Sequence, residues 1–289
     1  MKSFCIKNNN EIILNYLLIE LENINMEDVC ISKNQFKNYR NLIVHYKGKH
    51  NDLFIMKLSK ILTDCVIKFY EMILIKRIVG SDYFYFNNVD RGYIFNNCEE
   101  IINDENTKDF ENRKETIFLS FVDYIENHKF FILDGFINFR LFEYKNLLSE
   151  VVDIAVNKFI IDKEYKEFIG LLQGYINSQP SNTGTVHIIY SNFEPIILDE
   201  KENVIPYDKR FIQPKYLSDI SFSSKDYCLN ELLNLLPKNI ILHLLVEPDE
   251  FTNTLQLIFK GRIIICKECN ICKTFGMINS SFKIDSWIK

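Results

Sequence analysis

Alanine, the residue that extends a helix most readily, occurs once in 289 residues, at Ala155, against 42 isoleucines. Helices in such a chain cannot rest on intrinsic propensity. They must form through Leu, Glu and Lys and through burial of an apolar face. Glycine (9) and proline (6) are scarce as well, well below their usual shares of about 7% and about 5%, which favours long regular elements and few elaborate loops. The same bias, with 27 lysines to 7 arginines, marks A- and T-rich coding, so lysine or asparagine runs carry little weight as signs of function.

With 47% hydrophobic and 25% charged residues, the chain has material for one large or two modest cores. Its net charge of -5 leaves no cationic surplus for coating a phosphate backbone. Met1 to Asn10 is polar, with Lys2 and Lys7 and no apolar stretch of signal-peptide length behind it, so a cytoplasmic protein is expected. The nearest approach to a membrane span, Leu53 to Val79, carries Lys57, Lys60, Asp64, Lys68, Glu71, Lys76 and Arg77 along one stripe. It reads as an amphipathic helix and not a span.

Residues 1–80 read as strand, helix, strand, strand and long helix: Ser3 to Lys7, Glu11 to Leu21, Asp28 to Ser32, Asn41 to Tyr46, then Phe54, Leu58, Ile61, Cys65, Phe69, Met72 and Ile73 at helical spacing with Gly80 as a stop. Residues 81–180 read as almost wholly helical: Tyr93 to Asn103, Glu115 to His128, Phe136 to Ile161 and Lys163 to Asn177. In the third, Phe139, Phe142, Leu147, Val151, Ile154, Ala155 and Phe159 form an apolar stripe. A turn at Asp162 precedes the fourth, whose Asp162, Glu164 and Glu167 suit a helix start better than an acid/base pair.

Gln179 to Gly184 reads as a linker. Residues 181–289 follow as a hairpin (Val186 to Tyr190, Ile196 to Asp199), a helix (Asp226 to Leu236) and a strand–helix–strand unit (Ile240 to Leu245, Glu250 to Phe259, Arg262 to Cys266) of the length a parallel crossover needs. The expected fold class is α+β: a small N-terminal α/β module with a long helix, a central helical bundle, and a small C-terminal α/β unit with a parallel crossover.

Eight cysteines without a signal peptide argue for thiols over disulfides. Cys5, Cys30, Cys65, Cys98 and Cys228 are scattered, as small buried hydrophobes would be. Cys266, Cys269 and Cys272 instead form C-x2-C-x2-C directly after an apolar strand, a spacing that composition alone produces with a chance of about 0.006 over the chain. Such a turn brings thiolates together on a soft cation. Structural zinc takes four ligands, so a fourth must be added, with Cys228 and His243 as the local candidates and a second chain or water as alternatives. Zinc and an iron–sulfur cluster both stay open, although the bacterial ferredoxin continuation x3-Cys-Pro is replaced by Lys273-Thr274-Phe275-Gly276. Redox or unliganded thiols are the competing readings, and His187 and His243 also fit as ordinary strand histidines. No Gly-rich phosphate loop, H-E-x-x-H or G-x-S-x-G occurs.

Leu133-Asp134-Gly135-Phe136-Ile137-Asn138-Phe139-Arg140-Leu141, Glu143-Tyr144 and Lys163-Glu164-Tyr165-Lys166-Glu167-Phe168-Ile169-Gly170-Leu171-Leu172, with Val186-His187-Ile188-Ile189, Ile240-Ile241-Leu242-His243 and a strand ending in the cysteine triplet, resemble the YtxC-like sporulation family of endospore-forming Firmicutes over about residues 80–272. The resemblance implies a cytoplasmic protein of a spore-forming bacterium and carries over no activity, cofactor or catalytic residue. Arg140 and Tyr144, one turn apart, suggest a polar point between packed helices, Arg140 pairing an acidic neighbour.

The expected function is a non-enzymatic interaction or scaffold protein that docks a protein partner, with a Cys-bound metal near its C-terminus. The alternatives are a metal- or thiol-dependent enzyme, or a nucleic-acid binder acting through the basic tail Lys260 to Lys289 by way of Lys267 and Lys273.

Overall fold

The computed structural model describes residues 2–36, 39–104, 108–206, 223–266 and 268–276. Contacts gather the chain into two units, Met1–Asp162 and Lys163–Lys289, where the sequence suggests divisions at 80 and 180. The fold class is α+β, as expected.

In the first unit, β1 (Lys2–Asn8) alternates, with Phe4, Ile6 and Asn8 turned inward. β2 (Val29–Phe36) pairs antiparallel with β3 (Tyr39–Tyr46), β3 antiparallel with β1, and β1 parallel with the short β4 (Phe130–Ile132), in the order β2-β3-β1-β4. α1 (Glu11–Glu22) starts at Asn10, whose side chain accepts the Ile12 amide at 3.0 Å, and buries Ile13, Leu14, Leu17 and Leu21. The long α2 (Asn51–Asp82) packs on α1, α3 (Asn88–Ile102) and α4 (Lys108–Asn127). One continuous core runs from Phe4 to Phe159. Residues 1–80 and 81–162 therefore share a single interior, because α2 has apolar neighbours in both.

Several boundaries differ from the sequence pattern. α2 passes through Gly80 to Asp82, since one helical glycine costs only about 1 kcal/mol and Val79 beside it is buried. The helix expected over 136–161 is two: α5 (Leu133–Phe139), capped at Arg140, and α6 (Phe142–Ser178). No turn falls at Asp162, where neither Gly nor Pro interrupts the helix, so the acidic residues there start nothing. The buried residues of 141–159 are Leu141, Tyr144, Leu148, Val151, Val152, Ala155, Val156 and Phe159, so Val151, Ala155 and Phe159 of the expected stripe face the core while Phe139, Phe142 and Ile154 are exposed.

In the second unit the sheet order is β7-β6-β5-β8-β9. β5 (Thr183–Tyr190) and β6 (Ile196–Leu198) form the expected hairpin, with β7 (Val204–Ile205) antiparallel to β6. β5, β8 (Pro237–Leu244) and β9 (Ile263–Cys266) are parallel neighbours. α7 (Ser224–Leu235) leads into β8, and α8 (Glu250–Ile258) makes the expected crossover from β8 to β9. Both helices begin with reciprocal caps, Ser223 with Asp226 and Asp249 with Thr252, each satisfying amides that a helix start leaves open. Gly261 (φ +83°) supplies the left-handed turn before β9.

Val186, Ile188, Tyr190, Ile240, Leu242 and Leu244 share one core with Leu232, Leu255 and Phe259. By alternation, His187, Ile189, Ile241 and His243 lie on the opposite face of the sheet.

Candidate metal centre

The register of the parallel strands builds the site. Ile189 pairs with His243, and His243 with Cys266, the last residue of β9. Residues 270–276 are helical and return Cys269 and Cys272 toward the same point. His243 Nδ1 lies 3.2 Å from Cys272 Sγ and 3.3 Å from Cys269 Sγ. Cys272 Sγ lies 3.7 Å from Cys269 Sγ and 3.9 Å from Cys266 Sγ. The ligand atoms of all four residues fall within 4.8 Å of one another, so the group could hold a metal ion. Cys269 Sγ also accepts the Cys272 amide at 3.4 Å, closing the turn.

The separations can be compared with a tetrahedron. Bonds of about 2.3 Å to sulfur and about 2.0–2.1 Å to nitrogen put sulfurs about 3.8 Å apart and sulfur about 3.5 Å from nitrogen. The four short distances lie within about 0.3 Å of those edges. A cluster with each thiolate on its own iron would spread its ligands more widely than one shared ion does.

The electrostatics suit an unloaded soft-metal site. Burial, with His187 adding to it, lowers His243 and keeps its imidazole neutral. Burial and the adjacent Cys269 push the Cys272 thiol up to about 12. Burial works against ionisation of Cys266 too, but hydrogen bonds from the Glu268 and Cys269 amides and from the neighbouring thiols bring it below the ordinary thiol range. A cation arriving among these sulfurs would reverse the effect of burial and favour thiolates throughout.

Of the two candidates for a fourth donor, His243 joins the three cysteines and Cys228 does not: it is fully buried in the apolar core on the other side of the sheet. Cys65 and Cys98 are buried as expected. Cys5 is only partly buried, and Cys30 is exposed because β2 is an edge strand. Lys267 and residues 277–289 of the basic tail lie outside the described residues. The site also contains a participant that spacing did not indicate: His187 Nδ1 lies 3.0 Å from His243 Nε2, the two ring planes within 13° of parallel. Only the pairing of β5 with β8 reveals this proximity, since the two histidines are 56 residues apart.

The polar point expected at Arg140 and Tyr144 is built differently. Arg140 is exposed over the Tyr124 ring. Buried Tyr144 donates to Glu71 Oε1 at 3.0 Å, and the same oxygen accepts Arg113 Nε–H at 3.0 Å. Arg113 Nη2 donates in addition to the Ile102 carbonyl at the end of α3, at 3.1 Å. The acidic partner is thus Glu71 on α2, and its cation comes from α4.

Fold and site together define an α+β protein with a Cys3His group at the parallel edge of a mixed sheet. Residues 56–264 match the model of the YtxC-like family, and the chain belongs to that family. It is similar to a protein of Bacillus subtilis (strain 168) named "Uncharacterized protein YtxC", with 24% identity over 139 residues, 46% of this chain and 47% of that protein. The alignment therefore spans about half of the relative's length. No solved structure matches. The family match includes His187 and His243 and stops short of Cys266, so membership alone says nothing of the cysteines. Among the described residues, no helix is long and apolar enough to cross a membrane.

Proposed function

We propose that this is a non-enzymatic, sporulation-associated interaction protein of the cytoplasm, whose C-terminal unit is completed by one zinc ion held by His243, Cys266, Cys269 and Cys272. The observation that carries the metal reading is the convergence of one nitrogen and three sulfurs to within 4.8 Å of one another, four of their separations close to the edges of a zinc tetrahedron. Four protein donors fill a zinc shell and leave no position for substrate or activated water, the mark of a structural site. The need for such a site is physical. β9 has four residues at the sheet edge, with Ile264 and Ile265 exposed, and the turn after it has little apolar surface to bury. Metal binding there supplies the ordering free energy that packing does not.

The sporulation context is what the family resemblance implies, and the match to the YtxC-like family supports the membership on which it rests. An interaction role is supported by the exposed Phe84, Tyr85, Val89 and Tyr93 around the turn between α2 and α3, since grouped exposed apolar residues mark contact surfaces. The test is elemental analysis of the full chain purified anaerobically. One zinc per chain is expected. Iron with acid-labile sulfide would replace zinc by a cluster, and a metal-free chain that takes up no zinc on titration would remove the site.

A further inference from the structure

We infer that His187 is a positioning residue for the metal centre: it is the hydrogen-bond partner that allows His243 to present Nδ1 as a lone pair to a metal without the ring having to move. The inference rests on the metal reading above and adds to it a residue outside the ligand set.

A neutral imidazole carries one proton on one of two nitrogens. His243 points Nδ1 at Cys269 and Cys272 and Nε2 at His187. To ligate through Nδ1 its proton must sit on Nε2, and that N–H is directed at His187 Nδ1, 3.0 Å away. His187 is then the acceptor, with its own proton on Nε2. In the metal-free site the assignment can reverse. His243 Nδ1–H donates toward the sulfurs, and His187 Nδ1–H donates to His243 Nε2. Both arrangements use the same heavy-atom positions and carry the same charge. Each ring shifts one proton between its own nitrogens, and the contact between His243 Nε2 and His187 Nδ1 is a hydrogen bond in both states.

This matters because His243 is almost completely buried. A buried N–H without an acceptor loses its hydration for nothing in return, so without His187 the metal-binding tautomer would be the costly one and the sulfur-bonded tautomer would be favoured. Ligating histidines commonly carry a carboxylate or carbonyl on the second nitrogen. Here another imidazole stands in that position, and it can donate as well as accept. The parallel register of β5 and β8 puts both histidines on one face, and the two ring planes lie within 13° of parallel with centroids 5.3 Å apart, the end-to-end arrangement that an N–H···N bond in the plane of both rings requires.

The test uses two substitutions in the full chain, with zinc affinity read by competition against a chromophoric chelator at a temperature where all forms are folded. His187→Phe keeps an aromatic ring beside His243 but cannot accept a hydrogen bond. It is expected to weaken zinc binding about 10–100-fold, the usual cost of losing an outer-shell partner. His187→Asn sets a side-chain oxygen where Nδ1 stood and is expected to return affinity to within a few-fold of the parent. Nitrogen-15 spectra of the zinc-loaded parent should show His243 protonated at Nε2 and bound at Nδ1, a signature that a purely packing role would leave undetermined. Equal affinity in parent and His187→Phe, or equal losses in His187→Phe and His187→Asn, or a His243 bound through Nε2, would overturn the inference while leaving the metal site in place. If the parent itself binds no zinc, the metal reading falls first and takes this inference with it.

Discussion

Cys272→Ser should release the metal and loosen β9 and residues 268–276. Cys272 is the hub of the site: its sulfur has short contacts with His243, Cys269 and Cys266, and it is the most buried of the three cysteines. Structural zinc in small domains is worth roughly 10–16 kcal/mol of apparent binding free energy near neutral pH. Unit 2 has its own apolar core around Ile188, Leu232, Ile240 and Leu255, so the sheet should survive the substitution. The loss falls on residues 263–266 and 268–276. Their amides are expected to exchange at least about a hundredfold faster, corresponding to local opening made easier by about 3 kcal/mol or more. A chelator added to the parent should reproduce this pattern. Cys228→Ala provides the contrast: it removes a sulfur from the core and none from the site, so zinc content should stay at one while stability falls by about 1 kcal/mol. Zinc lost from Cys228→Ala and retained in Cys272→Ser would reverse the assignment of the fourth ligand.

The second large effect belongs to unit 1. Glu71 and Arg113 form an ion pair with side-chain exposures of 6% and 2%. Burial pushes the Glu71 carboxyl up, while Arg113 and the Tyr144 hydroxyl draw it back down. Arg113→Met leaves Glu71 in place with Tyr144 alone, and breaking one side of a buried pair costs about 3–5 kcal/mol. For a unit of this size the melting temperature should fall by roughly 6–20 °C. The Ile102 carbonyl at the end of α3 loses its donor in the same step. Glu71→Met combined with Arg113→Met removes both charges, and because a well-packed apolar replacement is often neutral or better, the double variant should melt well above Arg113→Met. Thermal melts followed by circular dichroism decide this. A single variant within about 1 kcal/mol of the parent, or a double variant no more stable than the single, would show that the pair is not what ties α2 to α4.

Much of unit 2 can be read from sequence because its strands are short apolar runs bounded by polar caps: Ser223, Asp249 and Gly261 each punctuate the chain near where an element begins or ends. Unit 1 is harder for the reason that shapes the whole chain. When Ile, Leu, Phe and Val fill most available positions, more than one helical register looks apolar. The stripe through Phe139, Phe142 and Ile154 is thus as regular as the buried one through Tyr144, Leu148 and Val152. β4 is three residues that become a strand only by pairing with β1, a contact without local signal. The run of charges at 162–167 resembles a helix start, yet nothing there breaks the helix.

At the site, the cysteine spacing announces itself, but the choice of His243 over Cys228 depends on which face of the sheet each residue occupies. His187 depends on strand pairing. Glu71 and Arg113 are 42 residues apart, and no local pattern links them.

X-ray absorption at the metal edge of the loaded chain measures the central claim most directly. Three sulfurs at about 2.3 Å and one nitrogen at about 2.0–2.1 Å around zinc are the expected shell, and Cys272→Ser should hold no zinc at this site. A zinc shell of oxygen and nitrogen alone, or one unchanged by removal of Cys272, would contradict it.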